Sequence, residues 1–208
     1  MRFAFLLLSL SLALVPACGG SGSRASATSD ISTIVATPPS KPDGIKWSEV
    51  RSSSNKPSEL FAGDMERRGF FYAPGLPGGV LAAPLSNVLE AAASDYTSTQ
   101  APGYPGRYRA QAIAMRFKDA ASAGVASRRF QEILHRRVGS KRQLDASGLG
   151  ASAWGLRIFE EGSDSTSSVA FGWRNGKTAF ITGMHDTNDD IDPDAARAFA
   201  DEVAEKAG

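Results

Sequence analysis

From Arg107 to Phe117 the chain alternates, RYRAQAIAMRF, with Ile113, Met115 and Phe117 on one side, the period of a β-strand. From Asp119 to Val138 the period changes. Ala126, Phe130, Ile133, Leu134 and Val138 recur three and four apart, which predicts an amphipathic helix. Alternation returns in SAWGLRIFEE, with Trp154, Leu156 and Ile158 on one face, and in SVAFGWRN, with Val169, Phe171 and Trp173. These aromatics are expected in the core. Asn175-Gly176 is a strong short hairpin signal and predicts a type I′ turn into the returning strand, Lys177 to His185. A last helix starts at Asp192-Pro193-Asp194: an N-cap, a residue with φ already fixed, and an acid that complements the helix dipole. Ala195, Phe199 and Val203 form its buried face. Upstream, Leu85, Val88, Leu89, Ala92 and Tyr96 stand at helical spacing and predict a helix over Leu85 to Ser98, while PSELFAGDMERR (Pro57 to Arg68) reads as a short helix interrupted by Gly63. The order helix, strand, helix, three meandering strands, helix predicts one α+β domain, an antiparallel sheet with helices packed on one face.

The N-terminus is a different kind of sequence. Arg2 precedes an uncharged apolar run, Phe3 to Val15, whose 13 residues fall short of the roughly 20 needed to span a bilayer but suit an export signal. The run ends at Val15-Pro16-Ala17-Cys18, which resembles a bacterial lipobox. That resemblance implies cleavage after Ala17 and acylation of Cys18, with Pro16 departing from the commonest pattern; ordinary signal cleavage after Ala17 is the alternative. Gly19 to Gly44 is rich in Gly, Ser, Thr, Ala and Pro and has little apolar content to offset the entropy of ordering. The expected organisation is therefore a signal peptide over 1–17, a lipid-attachment cysteine and flexible linker over 18–45, and the α+β domain over 46–208.

Composition removes several function classes. The net charge of +1 gives no electrostatic case for nucleic acid. One cysteine allows no intramolecular disulfide, and two histidines make a zinc site improbable on ligand supply alone. The phrases RFKDAASAGVASRRF and GLGASAWGLRIF, with the element order around them, resemble uncharacterised lipoproteins of high-GC bacteria and relatives of extracellular sensor domains of bacterial kinases. The resemblance brings no catalytic motif.

The densest cluster of reactive side chains is HDTNDDIDPD, His185 to Asp194. Asp186, Asn188 and Asp190 match the first alternate ligands of a calcium loop. Ile191 then stands where glycine is required, and Arg197 where a glutamate should close the shell. A helix start explains more of these residues. His185 and Asp186 invite an acid/base reading, but neighbours on a strand point to opposite faces. Ser53-Ser54-Asn55-Lys56 and Lys177-Thr178-Ala179 approximate two penicillin-recognition motifs, yet the third motif is missing and the second has alanine for glycine. The basic stretch around His135 (Arg128, Arg129, Arg136, Arg137, Lys141, Arg142) suits a solvated helix face, with contact to anionic lipid the alternative. Phe70, Phe71, Tyr72, Tyr104 and Tyr108 flank Gly/Pro-rich turns, and Tyr72, Tyr104 and Tyr108 are the candidate ligand-binding residues.

The sequence thus predicts a lipid-anchored protein on the extracytoplasmic face of the cell membrane. Its domain is expected to bind an unknown small molecule or envelope protein, with no catalytic residue, metal or cofactor. A hydrolase or metal-dependent enzyme using His185 and its neighbouring aspartates, and a structural envelope component, are the alternatives.

Overall fold

The computed structural model describes residues 30–54, 87–100, 108–136, 139–159, 167–186 and 191–208. In chain order they form α1 (Ile31–Val35), β1 (Lys46–Ser54), β2 (Val88–Gln100), β3 (Tyr108–Phe117) and α2 (Ala120–His135). Then come β4 (Ser140–Leu144), β5 (Ala151–Phe159), β6 (Ser167–Asn175), β7 (Thr178–Asp186) and α3 (Pro193–Ala207). The strands make one antiparallel sheet in the order β1-β2-β3-β7-β6-β5-β4. After the β1-β2-β3 meander the chain crosses through α2 to the far edge, then meanders back until β7 pairs with β3. This is the α+β class that the patterning predicts.

The layering differs from expectation, because helices cover both faces. On one face α2 buries Ala126, Phe130 and Leu134 against Ile113, Met115, Phe117, Trp154, Leu156, Ile158 and Ile181. On the other, α1 and α3 bury Ile31, Val35, Phe199 and Val203 against Tyr96, Phe171, Trp173 and Phe180. Successive strand residues alternate between the two clusters, as the pleat requires. The predicted one-sided stripe in β3 is real, but the intervening Ala110, Ala112 and Ala114 are also buried, under α1 and α3.

A second correction concerns Leu85 to Ser98. From Val88 onward it is strand β2, in register with β1 and β3 over most of its length. Ala91, Ala92 and Ala93 are all fully buried, so both faces of the strand are covered and no alternation survives to be read. Leu89, assigned by its spacing to a helical core face, is 47% exposed. The expected helix over Pro57 to Arg68 lies outside the described residues.

The linker also needs a new boundary. Its second part is packed onto the domain: Asp30 caps α1 by accepting from the Ser32 N–H (2.9 Å), and Ile31, Ile34 and Val35 are buried. The Tyr96 hydroxyl donates to the Val35 carbonyl at 2.7 Å, and the Ser40 backbone N–H and hydroxyl both donate to the Glu202 carboxylate on α3. Three apolar side chains in five residues suffice where a groove between α3 and the sheet receives them. The hairpin is corrected in type. Asn175 pairs with Thr178, leaving Gly176 and Lys177 as the central residues. Gly176 has φ +54 while Lys177 stays out of the positive-φ region, the sign pattern of a II′ turn with glycine first.

One glycine places the α2 layer. Trp154 on β5 faces Gly172 on β6, where an added Cβ would come within 2.4 Å of the indole. The ring lies flat over bare backbone and sends its N–H to the carbonyl (3.2 Å) and hydroxyl (2.9 Å) of Ser127 on α2. Gly124 is different, since its Cβ would meet its nearest neighbours at an ordinary 3.6–3.7 Å. Gly124→Ala is therefore expected to stabilise the fold by about 0.5–1 kcal/mol through helix propensity alone, read as a higher urea midpoint with unchanged m-value.

Candidate functional site

Between β4 and β5 the loop 145–150 closes one wall of an open cleft of about 690 Å³, whose opposite wall is α2. The loop is braced from three directions. Asp145 makes an Asx turn, accepting from the Ser147 N–H and hydroxyl at 2.9 Å each, which holds its carboxyl below the usual carboxylate range. Ala146 and Leu149 are buried as anchors in the α3-side core. Arg197 of α3 reaches over to donate to the carbonyls of Asp145 (3.0 Å) and Ser147 (2.7 Å), with its own Nε held by Asp201. Such bracing leaves the loop little to lose in entropy when a ligand arrives.

Beyond the loop β5 starts with a bulge. Ala151 pairs with Arg174 and Trp154 with Gly172, so Ser152 and Ala153 together oppose Trp173. Ser152 has φ +55, the left-handed conformation usually given to glycine at this bulge position. Strain in a non-glycine residue beside a cleft is the sort of feature that clusters at binding sites. Arg128 and Gln131 of α2, Gln143 of β4, Ser147 of the loop and Ser152 of the bulge present polar groups to the cleft, with the edge of buried Trp154 at its floor. Of these only Arg128 was weighed for binding in the sequence, as part of a basic helix face that could meet anionic lipid. The signal that was present is the GLGAS run following Asp145-Ala146-Ser147, whose Gly148 and Gly150 both adopt positive φ.

The residues expected from sequence are dispersed. Cys18, Tyr72, Tyr104, Asn188 and Asp190 lie outside the described residues. Tyr108 begins β3, half-buried against the α1/α3-side core, its backbone N–H donating to the Ser98 hydroxyl at 3.0 Å. His185 and Asp186 are consecutive on β7 and face opposite layers. His185 is half-buried with Nδ1 3.2 Å from the Ser168 hydroxyl, and Asp186 is fully buried opposite Tyr108. Asp192 and Pro193 cap α3 as predicted, with Asp192 accepting from the Asp194 N–H at 3.0 Å. His135 is exposed at the end of α2, its Nε2 3.2 Å from the Gln143 amide.

A buried polar pair on the α2 face of β2 and β3 also escaped the sequence reading. Gln111 is fully buried and donates to the Asp95 carboxylate, leaving its own Oε1 without a hydrogen-bond partner. Burial pushes the Asp95 carboxyl up, and the Gln111 hydrogen bond offsets only part of that. The folded state therefore holds this proton more tightly than the unfolded chain. The ionised form costs stability above the folded pKa, and that cost disappears as the pH falls through it. Asp119 and Asp145, both lowered by hydrogen bonds, act in the opposite sense and lose their contribution in acid. Asp95→Asn is expected to be the more stable protein near neutral pH, with the difference vanishing below the carboxylate range; urea unfolding of both proteins at the two pH values checks the sign.

No protein-family model matches the chain, and no curated protein matches it significantly in sequence. Among solved structures, the extracellular domain of PknH from Mycobacterium tuberculosis is similar, with a TM-score of 0.50 over 85% of this chain and 89% of that one, at 8% identity. The shared feature at that identity is the fold.

Proposed function

We propose that this chain is a lipid-anchored binding domain of the bacterial cell envelope, attached through Cys18 and acting outside the cytoplasmic membrane. The observation that carries the binding reading is the braced polar cleft between α2 and the loop 145–150. Its rigidity and its polar lining suit recognition of a ligand, and His185 and Asp186 point to opposite faces, which disfavours them as an acid/base pair. The fold likeness to a kinase extracellular domain supports a sensor-like or accessory role, and the lipobox resemblance supports the anchor. Tyr72, Tyr104 and Tyr108 are further candidate ligand contacts, supported by the aromatic, Gly/Pro-rich sequence around them.

The test is the mass of the full-length protein gently extracted from its own membranes, measured native and denatured. Acyl chains on Cys18 together with a native-state adduct are the expected result. An unacylated chain beginning at Cys18 would remove the anchor, and a native mass without any adduct or bound partner would remove the binding role.

A further inference from the structure

We propose that the outer face of α2 is the surface on which the anchored domain meets anionic lipid headgroups. The inference goes beyond the binding role and rests on the anchor proposed above, which brings the domain to a bilayer. It starts from where the charges sit. α2 carries Arg128 and Arg129 with Glu132 as its one acid, and Arg136 caps its C-terminal end. At its start the capping Asp119 is offset by the exposed Lys118 before it. Arg174 of β6 lies against the same helix, its Nε 3.6 Å from where a Cβ on Gly124 would stand. Lys141 of β4 is paired with Ile158, which belongs to the α2-side core, so it too is on this face. Across the sheet the balance reverses, and α3 sets Asp194, Asp201, Glu202 and Glu205 against Arg197 and Lys206. The whole chain is nearly neutral at +1, so the two layers form a dipole whose positive side is α2.

The charges on this face are available to a partner. Arg128 and Arg136 are exposed and, among the described residues, neither meets a carboxylate; Arg129 is paired with Glu132 at 2.6 Å. Val125, Arg129, Glu132 and Arg136 follow one another at intervals of four, three and four residues, a single stripe along the outside of the helix. Val125 is 49% exposed, one of two large apolar residues that the described surface shows. Basic residues with an apolar one among them suit a helix lying at the headgroup boundary. The other face of α2 is buried against the sheet, so the helix does not insert. The contact is one of surface charges, with Val125 as its single apolar point.

The tether permits this seating. α1 and α2 lie on opposite faces of the sheet, about 20 Å apart as two helix-on-sheet layers. The eleven residues between Cys18 and Asp30, at about 3.5 Å each when extended, outreach that distance.

The experiment places an environment-sensitive fluorophore at Val125→Cys in the full acylated chain, with Glu205→Cys on α3 as the comparison site. Each protein is reconstituted in vesicles of phosphatidylcholine alone or of phosphatidylcholine mixed with phosphatidylglycerol. The acyl anchor holds the chain in both, so a difference reports the face. The expected result is a blue-shifted, brighter emission at position 125 with phosphatidylglycerol only, no change at position 205, and reversal in high salt. Arg128→Gln and Arg136→Gln together should lower the ratio of seated to free domain about 25-fold, roughly fivefold per charge, without moving the unfolding midpoint. Equal emission at 125 in the two vesicles, a response at 205 as large as at 125, or a shift indifferent to the two substitutions overturns the assignment. A shift seen in native membranes but not with phosphatidylglycerol also overturns it, and gives the face to an envelope protein. Failure of the chain to stay with phosphatidylcholine vesicles removes the anchor instead, and its retention once phosphatidylglycerol is added would then keep the lipid-facing surface.

Discussion

Replacing Trp154 with alanine is expected to lower the unfolding free energy by about 3–5 kcal/mol, among the largest single-residue losses available to this chain. The indole is buried, and the residue beneath it is Gly172, which has no side chain to move into the vacated volume. The cavity would therefore stay open, the condition under which large-to-small substitutions cost most. Ser127 loses the donor to its carbonyl and hydroxyl as well. Trp154→Phe separates the contributions. It keeps most of the apolar area but loses part of the indole ring along with its N–H, so about 1 kcal/mol from the lost hydrogen bond is expected on top of a small packing loss. Urea denaturation of the three proteins measures both steps. A Trp154→Ala loss under about 1.5 kcal/mol would mean that α2 collapses onto Gly172 and that the cleft floor is not rigid.

Phe199→Ala should cost a similar 3–5 kcal/mol on the opposite face. Phe199 is fully buried at the centre of α3 and meets Tyr96 edge-on, with ring centroids 6.0 Å apart and planes at 89°. Because the Tyr96 hydroxyl also holds the Val35 carbonyl, losing Phe199 should loosen the N-terminal arm more than the sheet. Limited proteolysis at native concentrations checks this second consequence: cleavage between residues 36 and 45 should accelerate beyond what the global destabilisation explains. Equal acceleration everywhere would mean that the arm is held independently of α3.

Legibility in the sequence followed how each element meets water. Strands β5 and β6 were readable because a large apolar residue recurs at every second position: Trp154, Leu156 and Ile158 in one case, Val169, Phe171 and Trp173 in the other. Helices α2 and α3 were readable because one face is exposed and Asp119 and Asp192 cap them. Strand β2 was misread because alanine fills it on both faces, and alanine carries no strand preference of its own. Strands β1 and β4 were invisible for the opposite reason. As sheet edges they carry polar sequences, KWSEV and SKRQL, that discourage pairing with other chains and offer no alternation to detect. The cleft was hidden because its residues come from α2, β4, the 145–150 loop and the β5 bulge, and only folding brings them together.

The docked arm has a mechanical meaning on the lipid-anchored reading. Eleven residues lie between Cys18 and Asp30, the N-cap of α1. Twelve Cα–Cα steps can span at most about 42 Å. A domain of this size is roughly 40 Å across. If Cys18 is acylated, that length limits the distance between the membrane and α1 to about the diameter of the domain. Releasing α1 from its groove would pay out more chain, and the distance the domain can search is thereby tied to how firmly Ile31, Ile34 and Val35 are seated.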